Sequence, residues 1–241
     1  ACNNVGYNYR LLGQMDKALE YLDEGLQVAR RIGDTRDEAL LLMTMAELFL
    51  DQGRWETAMT HLEQALPLAQ QSGVIARLID VHRLLGSAYK GAGQLGDARR
   101  HLEVAETMGR DTQHLLFAPQ IYLELAGLNT TEGAFDEARK CIELALEVVG
   151  SESSDGFLGL LHRCYGYLHS RYGDWDDAVA HLEKSLEFLE RANLPAEVGK
   201  TRLDLGAAYA SRGEESDRRR ASEQLLAALS IFQQIKARGY L

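Results

Sequence analysis

The chain has 241 residues, with 26 Lys and Arg against 36 Asp and Glu and a formal net charge of −10. That balance excludes a stand-alone nucleic-acid binder, whose affinity comes mainly from cations set against phosphates, and no run approaches the ~20 apolar residues of a membrane span. Hydrophobic residues at 46% and only three prolines describe a packed, all-helical chain rich in Ala, Leu and Glu.

Ala1 to Leu12 reads as a helix, and Gly13 ends it. The opening on Ala rather than Met, with no charged-then-apolar leader, gives the expectation of a piece from a longer polypeptide. Gly13 recurs every forty residues as Gly53, Gly93, Gly133, Gly173 and Gly213. Five residues on stand Ala18, Ala58, Ala98, Ala138 and Ala178, with Ala221 arriving three residues late. A small-residue column runs Gly6, Ala46, Gly86, Ala126, Gly166 and Gly206, and a larger one Leu22, Leu62, Leu102, Ile142, Leu182 and, shifted by three, Leu225. Columns in one register over nearly the whole chain mark a repeat.

Each repeat reads as a helix pair. Apolar residues at 3–4 spacing, such as Leu78, Leu85 and Tyr89, form one helical stripe. The loop glycine ends the first helix. A hydrophobic plug follows (Met15, Trp55, Leu95, Phe135, Trp175), and the second helix opens on an acid placed for its dipole (Asp16, Glu56, Asp97, Asp136, Asp176). Small residues such as Ala98 would let the paired helices approach, and Leu102 would fill the space between pairs. The units predicted are 1–33, 34–73, 74–113, 114–153, 154–193 and 194–241.

Leu85-Gly86, Tyr89, Gly93, Ala98, Leu102 and Ala105, and again Ala46, Phe49, Gly53, Ala58, Leu62 and Ala65, resemble the tetratricopeptide repeat (TPR). The usual unit is about 34 residues; forty implies helices longer by about a turn, as in the repeats of bacterial STAND and LuxR-type regulators and of LGN/Pins-type adaptors. The resemblance implies an all-α fold, a single right-handed α-solenoid of six TPR helix-turn-helix hairpins with about twelve antiparallel helices. It also implies that the first helix of each pair lines a concave face.

That face is predicted to carry the binding residues: Asn3, Tyr7 and Arg10; Met43, Glu47 and Leu50; Arg83, Ser87 and Lys90; Leu123; Arg163, Tyr167 and Arg171; and Lys200. Arginines there can meet carboxylates of an extended or helical peptide through forked hydrogen bonds. The same cations can equally pair with Glu47, Asp51, Asp80 or Glu124. The asparagine–lysine clamp of chaperone-tail-binding relatives is matched only loosely, by Asn3 and Arg10.

Other features read as structural. His61, His101 and His181 recur in one column, but successive second helices lie about 8–10 Å apart, too far to share an ion with bonds of about 2 Å; no metal or other cofactor is expected. No nucleophile elbow, HExxH or P-loop is present, so no catalytic residue is named. Asn129 and His169 replace the aromatic of the other repeats (Tyr9, Phe49, Tyr89, Tyr209), as a buried hydrogen bond, a softer joint or a ligand contact. Pro67 should bend a second helix, while Pro119 opens a first helix harmlessly. Glu214 to Arg220 reads as a solvated loop, and Ile231, Phe232 and Ile235 as residues wanting a neighbour. Cys2, Cys141 and Cys164, without any CxxC, fit buried thiols in a reducing, cytoplasmic setting.

The reading is a protein- or peptide-binding module, a sensor or docking arm of a larger cytoplasmic signalling protein, with no direct nucleic-acid or membrane partner. The alternative is a static scaffold that self-associates through open repeat ends.

Overall fold

The computed structural model describes residues 2–150 and 153–240; Ala1, Ser151, Glu152 and Leu241 lie outside the described residues. Twelve α-helices follow one another: α1 (Cys2–Leu11), α2 (Met15–Ile32), α3 (Thr35–Asp51), α4 (Trp55–Ser72), α5 (Ile75–Gly91), α6 (Leu95–Asp111), α7 (Ala118–Glu132), α8 (Phe135–Val149), α9 (Asp155–Tyr172), α10 (Trp175–Arg191), α11 (Pro195–Arg212) and α12 (Asp217–Gln234). A short 3₁₀ turn, Arg238–Tyr240, comes last. Among the described residues there is no strand.

The turn chemistry explains the boundaries. All six loop glycines sit at positive φ, between +68° and +87°, where a residue with a Cβ is strained. At Gly93 the motif is complete: its N–H donates to the Lys90 carbonyl, and the Gln94 N–H donates to Tyr89, satisfying carbonyls that α5 would leave orphaned. The plug residue of each loop is the first residue of the next helix. Two helices gain a side-chain cap: the Asp34 carboxylate accepts from the Arg36 and Asp37 N–H groups, and the Ser154 hydroxyl from Phe157. A second left-handed column stands between hairpins, at Gly33, Gly73, Gln113 and Asn193. The last two are not glycine, so no glycine pattern revealed it.

The chain divides into two compact units, one of residues 2–121 with 236–240, the other of residues 122–235. In the first, each helix packs on the next, and the first helices also touch one another, α1 with α3 and α3 with α5. In the second, α9 through α12 pack in sequence and α9 also touches α11. Neighbouring first helices are thus close partners within each unit.

The small-residue column marks where the helices of a pair cross. A Cβ on Gly86 would lie 2.5 Å from Leu102 Cγ, one on Gly166 2.5 Å from Leu182 Cγ, and one on Gly206 2.8 Å from Leu225 Cγ. The large column therefore packs inside its own hairpin, against the small column, and does not fill the space between pairs as its size implied. Leu22, Leu62, Leu102, Ile142 and Leu182 are fully buried, each worth roughly 1.5–3 kcal/mol of transfer free energy. Leu225 keeps the contact with Gly206 yet remains exposed.

Four expectations change. Of Glu214 to Arg220 only the first three residues are loop, exposed as expected: α12 begins at Asp217, which is fully buried and clamped by Arg212, with Nε and Nη2 each 2.8 Å from its carboxylate oxygens, while Arg218 to Arg220 stay exposed on the helix. Phe232 and Ile235 are buried, Phe232 against Gly199, whose missing side chain makes room. The exposed apolar residues of α12 are instead Leu225, Leu226 and Leu229. The three cysteines form no disulfide among the described residues and are only half-buried. Pro67 lies within α4, which runs through it as one helix, and Pro119 lies in the first turn of α7 as expected.

Candidate interaction face

The first helices carry a polar row, assembled by a rule the forty-residue period hides. A side chain meets the residue 41 positions later on the next first helix. The Thr44 hydroxyl donates to the Asn3 side-chain amide oxygen Oδ1 at 2.9 Å, Arg10 Nε donates to Asp51 at 2.8 Å, and Arg163 Nε donates to Asp204 at 2.8 Å. The extra residue is the stagger between adjacent helices.

In the first unit the row is continuous. Arg10 also reaches Glu47 at 3.3 Å, Glu47 reaches Arg83 at 3.7 Å, and Arg83 reaches Asp80 at 2.7 Å. Arg10 lies over the Tyr7 ring at 5.4 Å and Arg83 over Phe117 at 5.8 Å, placements worth about 0.5–1 kcal/mol at exposed sites. Burial pulls the Arg10 guanidinium towards its neutral form, but Asp51 and Glu47 outweigh it and raise its pKa. Tyr7 remains 40% exposed. Ser87 and Lys90 are half-buried.

In the second unit, Arg163 Nη1 donates to Glu197 at 3.0 Å and Lys200 Nζ donates to Glu197 at 2.7 Å. Burial again opposes the Arg163 charge, and Asp204 with Glu197 again prevails. Tyr167 Oη lies 3.2 Å from the Thr131 hydroxyl, and Arg171 is exposed.

Met43, Leu50 and Leu123 are not groove-lining surface: they are 4%, 7% and 6% exposed, and Leu123 belongs to the core that joins Ile142, Phe157 and Leu168. Neighbouring first helices lie close enough to cover them. The arginine donors, too, are committed to the protein's own carboxylates, the pairing that Glu47, Asp51 and Asp80 made available in the sequence.

A segment of the chain itself lies against the first unit. Lys236 pairs with Asp16, the Gly239 N–H donates to the Gln52 carbonyl at 3.1 Å, and Tyr240 meets Trp55 edge-on with centroids 5.5 Å apart. Gly239 and Gly53 touch backbone to backbone, a contact no Cβ would permit.

The aromatic column of the first helix pairs with the residue twelve positions later on the second. Tyr9 stacks on Tyr21, Phe49 tilts onto His61, Tyr89 stacks on His101 and His169 on His181. Asn129 and Cys141 are the same pair in polar form, the amide donating to Sγ at 3.6 Å. The departure at Asn129 thus has a local partner. Among the described residues, no group of three or more His, Cys, Asp or Glu side chains is arranged to hold a metal ion, and no helix is long and apolar enough to cross a membrane.

Staggered helical hairpins, each crossing at a small residue and repeating every forty positions, define an α-helical repeat protein of the solenoid class. Residues 1–71 match the tetratricopeptide repeat family. Among curated proteins no relative matches the sequence. Among solved structures, a Rap protein complexed with competence and sporulation factor is similar with a TM-score of 0.81 and 17% identity, over 97% of this chain and 64% of that one. Aspartyl phosphate phosphatase F from Bacillus subtilis follows at 0.75 and 17%, over 96% and 59%. A STAND protein with a tetratricopeptide repeat sensor from Pyrococcus horikoshii aligns at 0.62 and 16%, over 92% and 33%. The chain thus spans less than two thirds of each of these three, and at such identities the likeness is one of fold.

Proposed function

We propose that this chain is a protein- or peptide-binding module that serves as the sensor or docking arm of a larger cytoplasmic regulatory protein, without chemistry of its own. The observation that carries the reading is the polar row of the first helices. Hairpin after hairpin, it presents charged and aromatic groups already held in place by their neighbours, so a partner meets a surface whose ordering entropy is spent in folding. The Rap and STAND structures support it, one complexed with competence and sporulation factor and the other described as carrying a tetratricopeptide repeat sensor. Three cysteines, none in a disulfide among the described residues, fit a reducing compartment.

Because Arg10, Arg83 and Arg163 hold their own carboxylates, reversing them would damage the row as well as any ligand contact. The informative variants are Tyr7→Ser and Arg171→Glu, which leave those pairs in place. A peptide array read at two salt concentrations selects a ligand. Tested one unit at a time, each substitution should weaken a ligand of its own unit at least ~10-fold, as expected for an aromatic or a charged contact, with unchanged helicity. Unaltered affinity would overturn the assignment of this face.

A static scaffold is the second reading, favoured by one feature: α12 exposes Leu226 at 63%, beside Leu225 and Leu229. Concentration-dependent association abolished by Leu226→Glu with Leu229→Glu, and indifferent to Tyr7 and Arg171, would select it.

A further inference from the structure

The glycine turn between α3 and α4 is covered by residues 236–240, which belong to the first compact unit. A Cβ on Gly53 would lie 2.9 Å from the Gly239 Cα. At Gly93, Gly133 or Gly173, the same position in other hairpins, a Cβ would meet nothing within 4 Å among the described residues. Those turns close without a cover, so the contact at Gly53 adds something the repeat does not require.

The covered surface is chemically selective. Gln52 caps the end of α3, where helical N–H donors run out, and its carbonyl accepts from the Gly239 N–H at 3.1 Å. Two backbones come this close only with glycine on both sides, since a Cβ on Gly239 would run into the Gly53 carbonyl. Trp55 stands beside this gap, seated over Gly91, where a Cβ would lie 2.6 Å from the indole. It meets Tyr240 at 87° with centroids 5.5 Å apart, the edge-to-face arrangement aromatic pairs favour. Asp16, near the start of α2, pairs with Lys236. The occupying segment is itself a tight turn: Lys236 holds φ at +56°, and the Tyr240 N–H donates to the Ala237 carbonyl at 3.2 Å.

We propose that Asp16, Gln52, Gly53 and Trp55 form a docking site for a partner's turn that presents a cation followed, three and four residues on, by a glycine and an aromatic. Residues 236–240 fill that site as a built-in competitor, and a partner binds by displacing them. A tethered segment acts at an effective concentration of about a millimolar, so contacts that are weak one by one keep the site closed to stray peptides and still yield to a tighter ligand. The site does not use Tyr7 or Arg171, and its test is independent of theirs.

The probe is a fluorescein-labelled, end-capped peptide of residues 235–241 (IKARGYL), followed by anisotropy against the full chain. In the Gly239→Val chain the resident segment can no longer close on Gly53, so this chain should bind the peptide at least ~10-fold more tightly than wild type. A peptide carrying Gly239→Val should bind neither chain. Adding Asp16→Lys to the open chain should weaken the peptide up to about fivefold at low salt, as for an exposed ion pair, and a peptide carrying Lys236→Glu should recover the loss. Far-UV circular dichroism confirms that the variants fold. Should Gly239→Val not fold, Tyr240→Ala takes its place: emission of Trp55, isolated by Trp175→Phe, should change with loss of the ring and return as peptide is added. Equal affinity of the wild-type and open chains, no binding by a folded open chain, or equal binding of the Gly239→Val peptide overturns the proposal. So does a wild-type dimer that Gly239→Val abolishes, which would make the segment a contact to a second copy.

Discussion

The third hairpin, in the first unit, and the fifth, in the second, are built on one plan and differ in the rings around it: Phe188 stacks on His162 and Tyr165 packs on His181 where the third hairpin has Met108 and Leu85. Both cross at a glycine beneath a leucine, Gly86 under Leu102 and Gly166 under Leu182, and both place a histidine pair, His82 with His101 and His162 with His181, beside the crossing. The ring stacked on the second-helix histidine is Tyr89 in one and His169 in the other. His169 Nδ1 is buried without a hydrogen-bond partner, 3.7 Å from Asp174 and 4.0 Å from Asp177. The stacking is therefore kept while the stacked ring changes. The lesson is that backbone crossing and ring chemistry vary independently.

The largest effect tests the shared crossing. Gly86→Ala and Gly166→Ala each place a methyl where Leu Cγ now lies 2.5 Å away, so each should cost about 1–3 kcal/mol by overpacking. Equal losses are expected, read as midpoint shifts in urea with peptide-resolved hydrogen exchange assigning each loss to its hairpin. A twofold inequality would break the equivalence of the two hairpins.

A smaller effect sharpens the contrast. His101 and His181 have folded-state pKa values lowered from 6.5 to about 4. A lowered pKa in a base means that the unfolded chain takes up protons first. Their stabilisation is complete above pH 6.5 and is lost as the pH falls towards 4. Solvent screening of these half-exposed rings keeps each loss to about 1 kcal/mol or less. The charge on His169 also acts against His181, which Tyr89 cannot do for His101 near neutral pH. His181→Gln should therefore remove more of the acid-induced fall in melting temperature between pH 7 and 4.5 than His101→Gln does. The reverse order would refute the contrast.

The smallest effect lies between hairpins. Gln113 and Asn193 hold positive φ, at +55° and +54°, where neighbouring repeats use Gly33 and Gly73. Gln113→Gly should raise stability by about 0.5–1 kcal/mol. Asn193→Gly should raise it less, because asparagine tolerates this conformation better. Chemical denaturation of both variants ranks them.

Much of the fold was legible because it is written in local rules. Helix stripes, glycine turns and acid-led second helices each depend on residues a few positions apart, and the forty-residue register exposed all of them at once. The candidate face was less legible. Tyr7 and Arg171 stand in the open as their register implied, but Met43, Leu50 and Leu123 do not, since register reports direction and not how closely the next helix covers a side chain. Asp217, within the charged run from Glu214 to Arg220, misled for a related reason: charge usually implies solvent, yet a bidentate partner, Arg212, lets Asp217 be buried.

By itself the sequence determined the repeat, the number and order of helices, and the left-handed glycine turn inside each hairpin, because these follow from short-range sterics and periodicity. Tertiary structure alone decided the partnerships. The 41-residue offset that joins Arg10 to Asp51, the twelve-residue pairing that gives Asn129 its Cys141, and the nineteen-residue separation that sets His82 against His101 all depend on the stagger and crossing of packed helices. Those distances arise only when side chains interlock across helices, and no single helix contains them.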